Sequence, residues 1–421
     1  MSNSAVNSAT PGLSKRRLAT IFITVFIDVL GFGLILPLLP YYATRFGADT
    51  VAIGLLTAAY PAAQIFSGPL LGRLSDRYGR RPILIVSILG TAISFLILGW
   101  ANTLWLLFVG RLLDGLTGGN FTVAQSYIAD VTTAKDRARG LGLTGAAFGL
   151  GFIIGPAAGG LLSTFGQSVP AFVAAGIALA NAVQVFFFLP ESLTPERKAS
   201  LPTNRNGVVT VSRLVEAFRR PLFGDILGLR FGFGLAFATF QTMFSLWGLK
   251  HLNLDAQTIG LLLAYVGVLS AVVQFALIAP LTRRYSEGVL LTVTLGVAGV
   301  FLTLWGVSPS IPLLLVVLTP LCFAIGIQNT VSQSVLSKSV SPAEIGGAFG
   351  LSSAIQSIGS IIAPIIGGVI LGSIGTWSPG VLGGIICLGL VPFAWMKFAK
   401  PGTRFSVSPQ AAAAEPQTSS A

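Results

Sequence analysis

The sequence predicts an all-α integral membrane protein with twelve transmembrane helices in two pseudo-symmetric six-helix halves, and three observations lead there. Over 421 residues it is 53% hydrophobic and only 10% charged, with 50 glycines, whereas water-soluble domains are about a quarter charged. Twelve apolar runs are long enough, at about 20 residues, to cross roughly 30 Å of hydrocarbon. The chain also repeats itself: "GFIIGPAAGG" (Gly151 to Gly160) lies over "GSIIAPIIGG" (Gly359 to Gly368) at an offset of 208, and Gly118, Gln125 and Ser126 fall on Gly326, Gln333 and Ser334.

In chain order the runs are 18–42, 51–72, 82–100, 103–129, 140–163, 168–189, 224–249, 257–281, 288–307, 310–334, 345–370 and 375–397. The first follows Lys15, Arg16 and Arg17, contains Asp28, and lacks a small-residue cleavage site, so it reads as a retained span and not a leader. Alternate loops collect 22 of the 26 lysines and arginines, and basic loops stay in the cytoplasm. Both termini are therefore expected inside. The net charge of +12 is this rim beside anionic lipid, and a nucleic-acid partner is not needed to explain it. The longest polar segment divides the spans six and six. The expected organisation is a cytoplasmic tail (1–17), a first half (18–190), a linker (191–221) with an amphipathic stretch around Val211 to Arg219, a second half (222–398) and a disordered tail (399–421).

Duplicated six-span halves are a plan used by transporters, with the substrate path between them. Duplication alone leaves a channel or an intramembrane enzyme open. Soluble catalytic chemistry finds no support. His251 stands alone beside Lys250 in an expected outer loop, with no ligands at metal spacing, and "GLTGGN" lies in a span without a phosphate-loop lysine. No metal or cofactor is expected. Cys322 and Cys387 read as small buried hydrophobes on separate helices.

Particular residues then narrow the family. Gly72-x-x-x-Asp76-Arg77-x-Gly79-Arg80-Arg81, between spans two and three, closely resembles the signature loop of the major facilitator superfamily. Gly151-x-x-x-Gly155-Pro156-x-x-Gly159-Gly160 in span five resembles the motif of its proton-driven exporters. Asp28-x-x-Gly31-x-Gly33-x-x-x-Pro37-x-x-Pro40 in span one is similar to the start of bacterial tetracycline-type and multidrug efflux proteins. Arg111-x-x-x-Gly115 matches a further superfamily motif in span four. The second half matches in architecture only, since Thr282-Arg283-Arg284-Tyr285 lacks the acid and the Gly-Arg-Arg ending, and span nine has no acid of the tetracycline exporters' kind.

The resemblance implies a secondary transporter that exports amphipathic, drug-like compounds against protons by alternating access. A symporter importing a nutrient and a non-transporting or lipid-handling member of the same fold remain alternatives. Protons, a small-molecule substrate and the bilayer are the expected partners, and a monomer is the superfamily's usual state. Asp76 and Arg80 stand at i and i+4, the favourable helical order for pairing. The resemblance implies that with Asp130 they form a charge cluster at the cytoplasmic side that latches the two halves in the outward-facing state. An acid inside a span is costly and usually works in a cavity, so Asp28 is the expected proton carrier, with a fixed pair to Arg111 or Arg230 as the structural alternative. Arg111 and Asp114, three apart, can form a self-contained pair; alternatively, the resemblance implies that Arg111 tunes a proton-carrying acid, Asp28 or Asp114. The span-five glycines are expected to pack on span eight. Asn120, Gln125, Gln241, Gln328 and Gln333 are amides available to a ligand, Arg230 is an available cation, and Phe32, Phe240 and Phe244 supply apolar walls. Each amide can equally stitch helices together.

Overall fold

The computed structural model describes residues 15–132, 137–193, 216–341 and 344–400. The N-terminal tail to residue 14, residues 194–215 of the expected linker and the tail from 401 lie outside the described residues, as does the first part of the stretch expected to be amphipathic. Its last residues, 216–219, are helical.

Eleven helices are long and apolar enough to cross a membrane among the described residues. Span one is Leu18–Arg45, two Thr50–Tyr78, three Arg80–Trp100, five Gly142–Ser163, six Val169–Phe188, seven Phe223–His251, eight Ala256–Arg284, nine Glu287–Gly306, ten Ile311–Lys338, eleven Gly347–Ser373 and twelve Ser378–Ala399. The remaining expected span, the fourth, is consistent with a twelfth crossing but is not one helix. It divides into Leu104–Thr117 and Asn120–Val131, each too short to cross alone. Span one contains a 3-10 turn at Leu36–Leu38, where Pro37 lacks an amide hydrogen, and span eight a π turn at Val273–Leu277. Short polar side chains start several spans: Asp49 accepts from the Ala52 amide at 2.7 Å, and Asp255 from Thr258 at 3.0 Å. Cys322 and Cys387 are free and buried.

The lysine- and arginine-rich ends of the spans define a basic face. Spans two and eleven run side by side, as do five and eight, and these pairs join the first six spans to the last six. Both meet backbone to backbone at their ends away from the basic face, and five and eight meet again near mid-span, where a Cβ added at Gly267 would stand 2.9 Å from Ile153 Cα. A Cβ added at Gly54 would stand 2.3 Å from the Pro364 carbonyl oxygen, and one at Gly260 would stand 2.4 Å from that of Pro156. Toward the basic face the same helix surfaces part. Gly145 and Gly149 in span five, and Gly347 and Gly350 in span eleven, have no atom within 4 Å of an added Cβ. The molecule is closed at the opposite face and open at the basic one.

Gly54→Val is expected to push spans two and eleven apart at the closed end and move the population toward the alternative state. Spin labels at Arg45 and Ile374 should then show a longer distance distribution. A distribution unchanged from wild type would mean that this contact does not hold the closed end.

Candidate functional site

Two charged centres sit on the first six spans, one at the basic face and one deep in the membrane. At the basic face span two stays helical to Tyr78, so most of the expected signature loop is its last two turns. Gly79 then reverses the chain at φ 110°, ψ 153°, a conformation open mainly to glycine. Asp76 and Arg80 therefore lie on different helices and meet across this corner, not as an i,i+4 pair within one helix.

Arg80 is 3% exposed and fully engaged. Its Nη2 lies 2.6 Å from Asp76 Oδ1, its Nε donates to Asp130 Oδ2 at 3.0 Å, and its Nη1 donates to Ser75 Oγ at 2.6 Å. Ser75 in turn donates to the Gly72 carbonyl at 2.7 Å. Glu191 receives the amides of Arg80 (2.9 Å) and Arg81 (3.1 Å), and Ser192 Oγ donates to Asp130 Oδ2 at 3.2 Å. Arg81 donates to the Phe186 carbonyl and stacks on the Phe186 ring. Arg77 is exposed over Tyr78 and joins no ion pair among the described residues. Ser75, Glu191 and Ser192 complete a cluster that sequence reasoning reached only through Asp76, Arg80 and Asp130. Glu191, assigned there to the linker, had no spacing relation to betray it.

The named partners belong to the first six spans and to the residues just after span six, and they are assembled while the basic face is open. The latch between the two halves is expected in the outward-facing state; in this structure, open at the basic face, the named contacts lie on the side of the first half. They tie spans two, three, four and six into one body.

The second half carries a counterpart with its charges exchanged. Glu287, at the start of span nine, accepts from Lys338 Nζ (2.8 Å) and Ser334 Oγ (2.6 Å) at the end of span ten. At the repeat offset Lys338 falls on Asp130 and Glu287 on Gly79, next to Arg80. A search for the first half's motif misses this because acid and base have changed places.

The deep centre forms where span four breaks. At Gly118 and Gly119 the helical ladder stops, and its freed carbonyls are taken by neighbouring side chains. Ser67 Oγ donates to Gly115 O at 2.7 Å, Gln64 Nε2 to Gly118 O at 2.9 Å, and Ser87 Oγ to Thr117 O. Non-helical backbone survives at membrane depth only when its polar groups are satisfied in this way. Side chains are also excluded sterically, since a Cβ at Gly119 would stand 2.5 Å from Leu71. The spacing of apolar residues continues through the break, which is why a single helix was expected.

Asn120 opens the second segment, and its Nδ2 donates to Asp28 Oδ1 at 2.6 Å. Asp28 is half-buried in span one. Just before the break, Arg111 Nη1 pairs with Asp114 Oδ2 at 3.1 Å, both nearly inaccessible. The Arg111 guanidinium also lies 4.9 Å from the Tyr60 ring centroid and 5.7 Å from that of Phe32, so aromatic faces share its charge. Asp114 stands within electrostatic range of Asp28. Asp28, Asp114, Arg111 and Asn120 are thus one constellation, with Asn120 as the direct partner of Asp28.

Other expected residues separate. Arg230 is not the counter-ion of Asp28; it donates to Ser352 and Ser332 of spans eleven and ten. Gln328 is fully buried and accepts from Thr294 Oγ1 at 2.6 Å. Gln125, Gln241 and Gln333 are exposed. Phe240 and Phe244 are buried against Trp305 and belong to the core. His251 is not a solvated loop residue: it ends span seven, stacked on Trp247, with Nδ1 2.6 Å from Thr376 Oγ1.

The span-five glycines divide between two neighbours. Gly151, Gly155 and Gly159 face span one, where an added Cβ at Gly155 would meet Gly33 Cα at 2.8 Å. Gly160 and the Pro156 carbonyl meet span eight, against Ala256 and Gly260, and Ile153 meets it at Gly267. Of the motif glycines, Gly160 makes the expected contact with span eight, while Gly151, Gly155 and Gly159 lie against span one. The upstream glycines instead bring span five onto the backbone of the span that carries Asp28.

The comparisons with known proteins agree with this architecture. The sequence profile of the Major Facilitator Superfamily matches residues 21–308 and 249–419. The chain is 32% identical to the class C tetracycline resistance protein of Escherichia coli, over 87% of this chain and 92% of that one. It is 30% identical to multidrug resistance protein 2 of Bacillus subtilis strain 168, over 83% and 88% of the two chains. The crystal structure of the nucleoside transporter NupG superposes with a TM-score of 0.72 at 16% identity, covering 90% of this chain and 97% of that one. With a repeated six-span plan, the Gly79 corner and the Asp28 constellation all in place, the chain belongs to the major facilitator superfamily.

Proposed function

We propose that this protein exports amphipathic, drug-like compounds in exchange for protons, by alternating access in the cell membrane. The basic face is the cytoplasmic face, following the bias of lysine and arginine. Residues 18–190 and 222–398 are the two moving halves, and 191–221 joins them. The protein works as a monomer. Its relatives named for tetracycline and multidrug resistance support this substrate class.

The observation that carries the proposal is the hydrogen bond between Asp28 and Asn120 at the head of a detached helical segment. Asn120–Val131 has the Asp28 partner at one end and Asp130, bound to Arg80, near the other. Ionised Asp28 holds the Asn120 amide by a charge-assisted bond, and such bonds are about twice as strong as neutral ones. Protonation removes that charge and loosens the segment's inner end. Its outer end bears on the Asp76, Arg80, Arg81, Asp130 and Gly72–Gly79 corner, which sets the angle between spans two, three and four. The Arg111–Asp114 pair beside Asp28 adjusts how readily the proton leaves. Gly151, Gly155 and Gly159 hold span one rigid against span five while this happens.

The test uses inverted vesicles containing the full chain, acidified inside and loaded with a pH-sensitive dye. Tetracyclines, cationic dyes, fluoroquinolones and sugars are added in turn. Proton release on adding an amphipathic drug, lost in Asp28→Asn, is the expected result. Gradient-dependent sugar movement with no response to any drug would replace the exporter with a symporter.

A further inference from the structure

The two halves treat their membrane-embedded arginines differently. Arg111 in the first half is neutralised by Asp114 and flanked by two aromatic rings. Arg230 in span seven is 5% exposed and has only two serines: Nε donates to Ser352 Oγ at 2.8 Å and Nη1 to Ser332 Oγ at 2.7 Å. These hydroxyls orient the guanidinium but carry no charge. Among the described residues its Nη2 makes no hydrogen bond and Arg230 forms no ion pair. At 1.5 Å per residue it lies about 10 Å inside span seven from the basic face. An isolated cation at that depth is costly, and such residues mark substrate paths. Gly234, one turn further along the same helix face, has no atom within 4 Å of an added Cβ, so this face borders open space.

A second observation points the same way. Gln328 is 0% exposed and stands one turn from Ser332 on span ten; its Nε2 has no partner. At the repeat offset of 208 its counterpart is Asn120, whose Oδ1 has no partner either. The first half thus offers a carboxylate with a spare acceptor beside it, and the second a guanidinium with a spare donor nearby. These halves part toward the basic face.

We propose that Arg230 is an anion subsite, and that the exported compounds are zwitterions whose ammonium is taken by Asp28 and whose carboxylate or acidic hydroxyl is taken by Arg230. This rests on the export reading and names its substrate class. The phosphate of an anionic lipid headgroup has the same chemistry, and the test separates the two sources.

Ciprofloxacin carries both charges, and its methyl ester keeps only the ammonium. Binding of each to the purified full chain is measured by fluorescence anisotropy in phosphatidylcholine nanodiscs, and again in discs containing phosphatidylglycerol. Wild type is expected to bind the acid about tenfold more tightly than the ester, the size of one charged hydrogen bond. Arg230→Gln should bring that ratio near one with ester affinity unchanged, and Arg230→Lys should keep part of the preference. No preference for the acid in wild type, an unchanged ratio in Arg230→Gln, or equal loss of both ligands in Arg230→Gln and Arg230→Lys would overturn the subsite; equal loss would make Arg230 a clamp between helices. A preference abolished by phosphatidylglycerol would assign the site to lipid and overturn the substrate assignment. The export reading fails separately: an acid preference that depends on Arg230, in a protein that moves no protons against any drug, would leave the subsite standing without the antiport.

Discussion

Replacing Asp28 with asparagine is expected to collapse gradient-driven accumulation of substrate to the level of passive equilibration. A proton crossing 100 mV gains about 2.3 kcal/mol, and each pH unit adds about 1.4. One proton per cycle under both therefore supports a concentration ratio of roughly 500-fold. Asparagine keeps the size and a hydrogen-bond acceptor for Asn120 but cannot exchange a proton. The ratio should fall to near one, while substrate exchange down its own gradient, which needs only the alternation of states, persists. Counterflow and pH-driven uptake in the same vesicle preparation measure the two quantities. Accumulation that still follows the pH gradient in Asp28→Asn would move the proton to Asp114 or elsewhere.

Arg80→Ala is expected to produce the largest loss of stability from one substitution at the basic face. Arg80 is the shared base of Asp76 and Asp130, and the Asp130 side chain is 8% exposed. Removing one partner of a buried ion pair leaves the other charge uncompensated, which costs about 3–5 kcal/mol. Thermal unfolding in detergent should show this directly. Arg80→Lys should recover only part of it, because an ammonium cannot reproduce the planar fork that reaches Asp76, Ser75 and Asp130 together. Unfolding temperatures equal to wild type in Arg80→Ala would mean that water already screens the cluster. Glu191→Gln should be milder, since an amide oxygen still accepts from the backbone of Arg80 and Arg81.

Much of the architecture was legible because a bilayer imposes it locally. A run of apolar residues must become a helix to satisfy its own backbone, and the placement of lysine and arginine divides the two faces. The Asp28 reading also came from one dimension, since an acid within an apolar run stands out without any neighbour. Asn120 could be found only as an amide among several. Its selection depends on the break at Gly118–Gly119, and that break depends on Ser67, Gln64 and Ser87 from two other spans. Apolar periodicity carries no record of who caps a carbonyl.

What the sequence by itself determined is the class of the molecule: an α-helical membrane protein with a duplicated chain, a basic face, and an acid in its first span. Hydrophobicity, length and charge act along the chain, so they can be read there. The tertiary structure alone decided that Glu191 completes the Arg80 cluster, that the second half carries the same ion pair with its charges exchanged, that Arg230 is held by serines and not by Asp28, and that the span-five glycines serve span one more than span eight. Each depends on which helix faces meet, and that is settled by backbone approach between spans distant in sequence, where a single Cβ at Gly155, Gly54 or Gly260 would change the outcome.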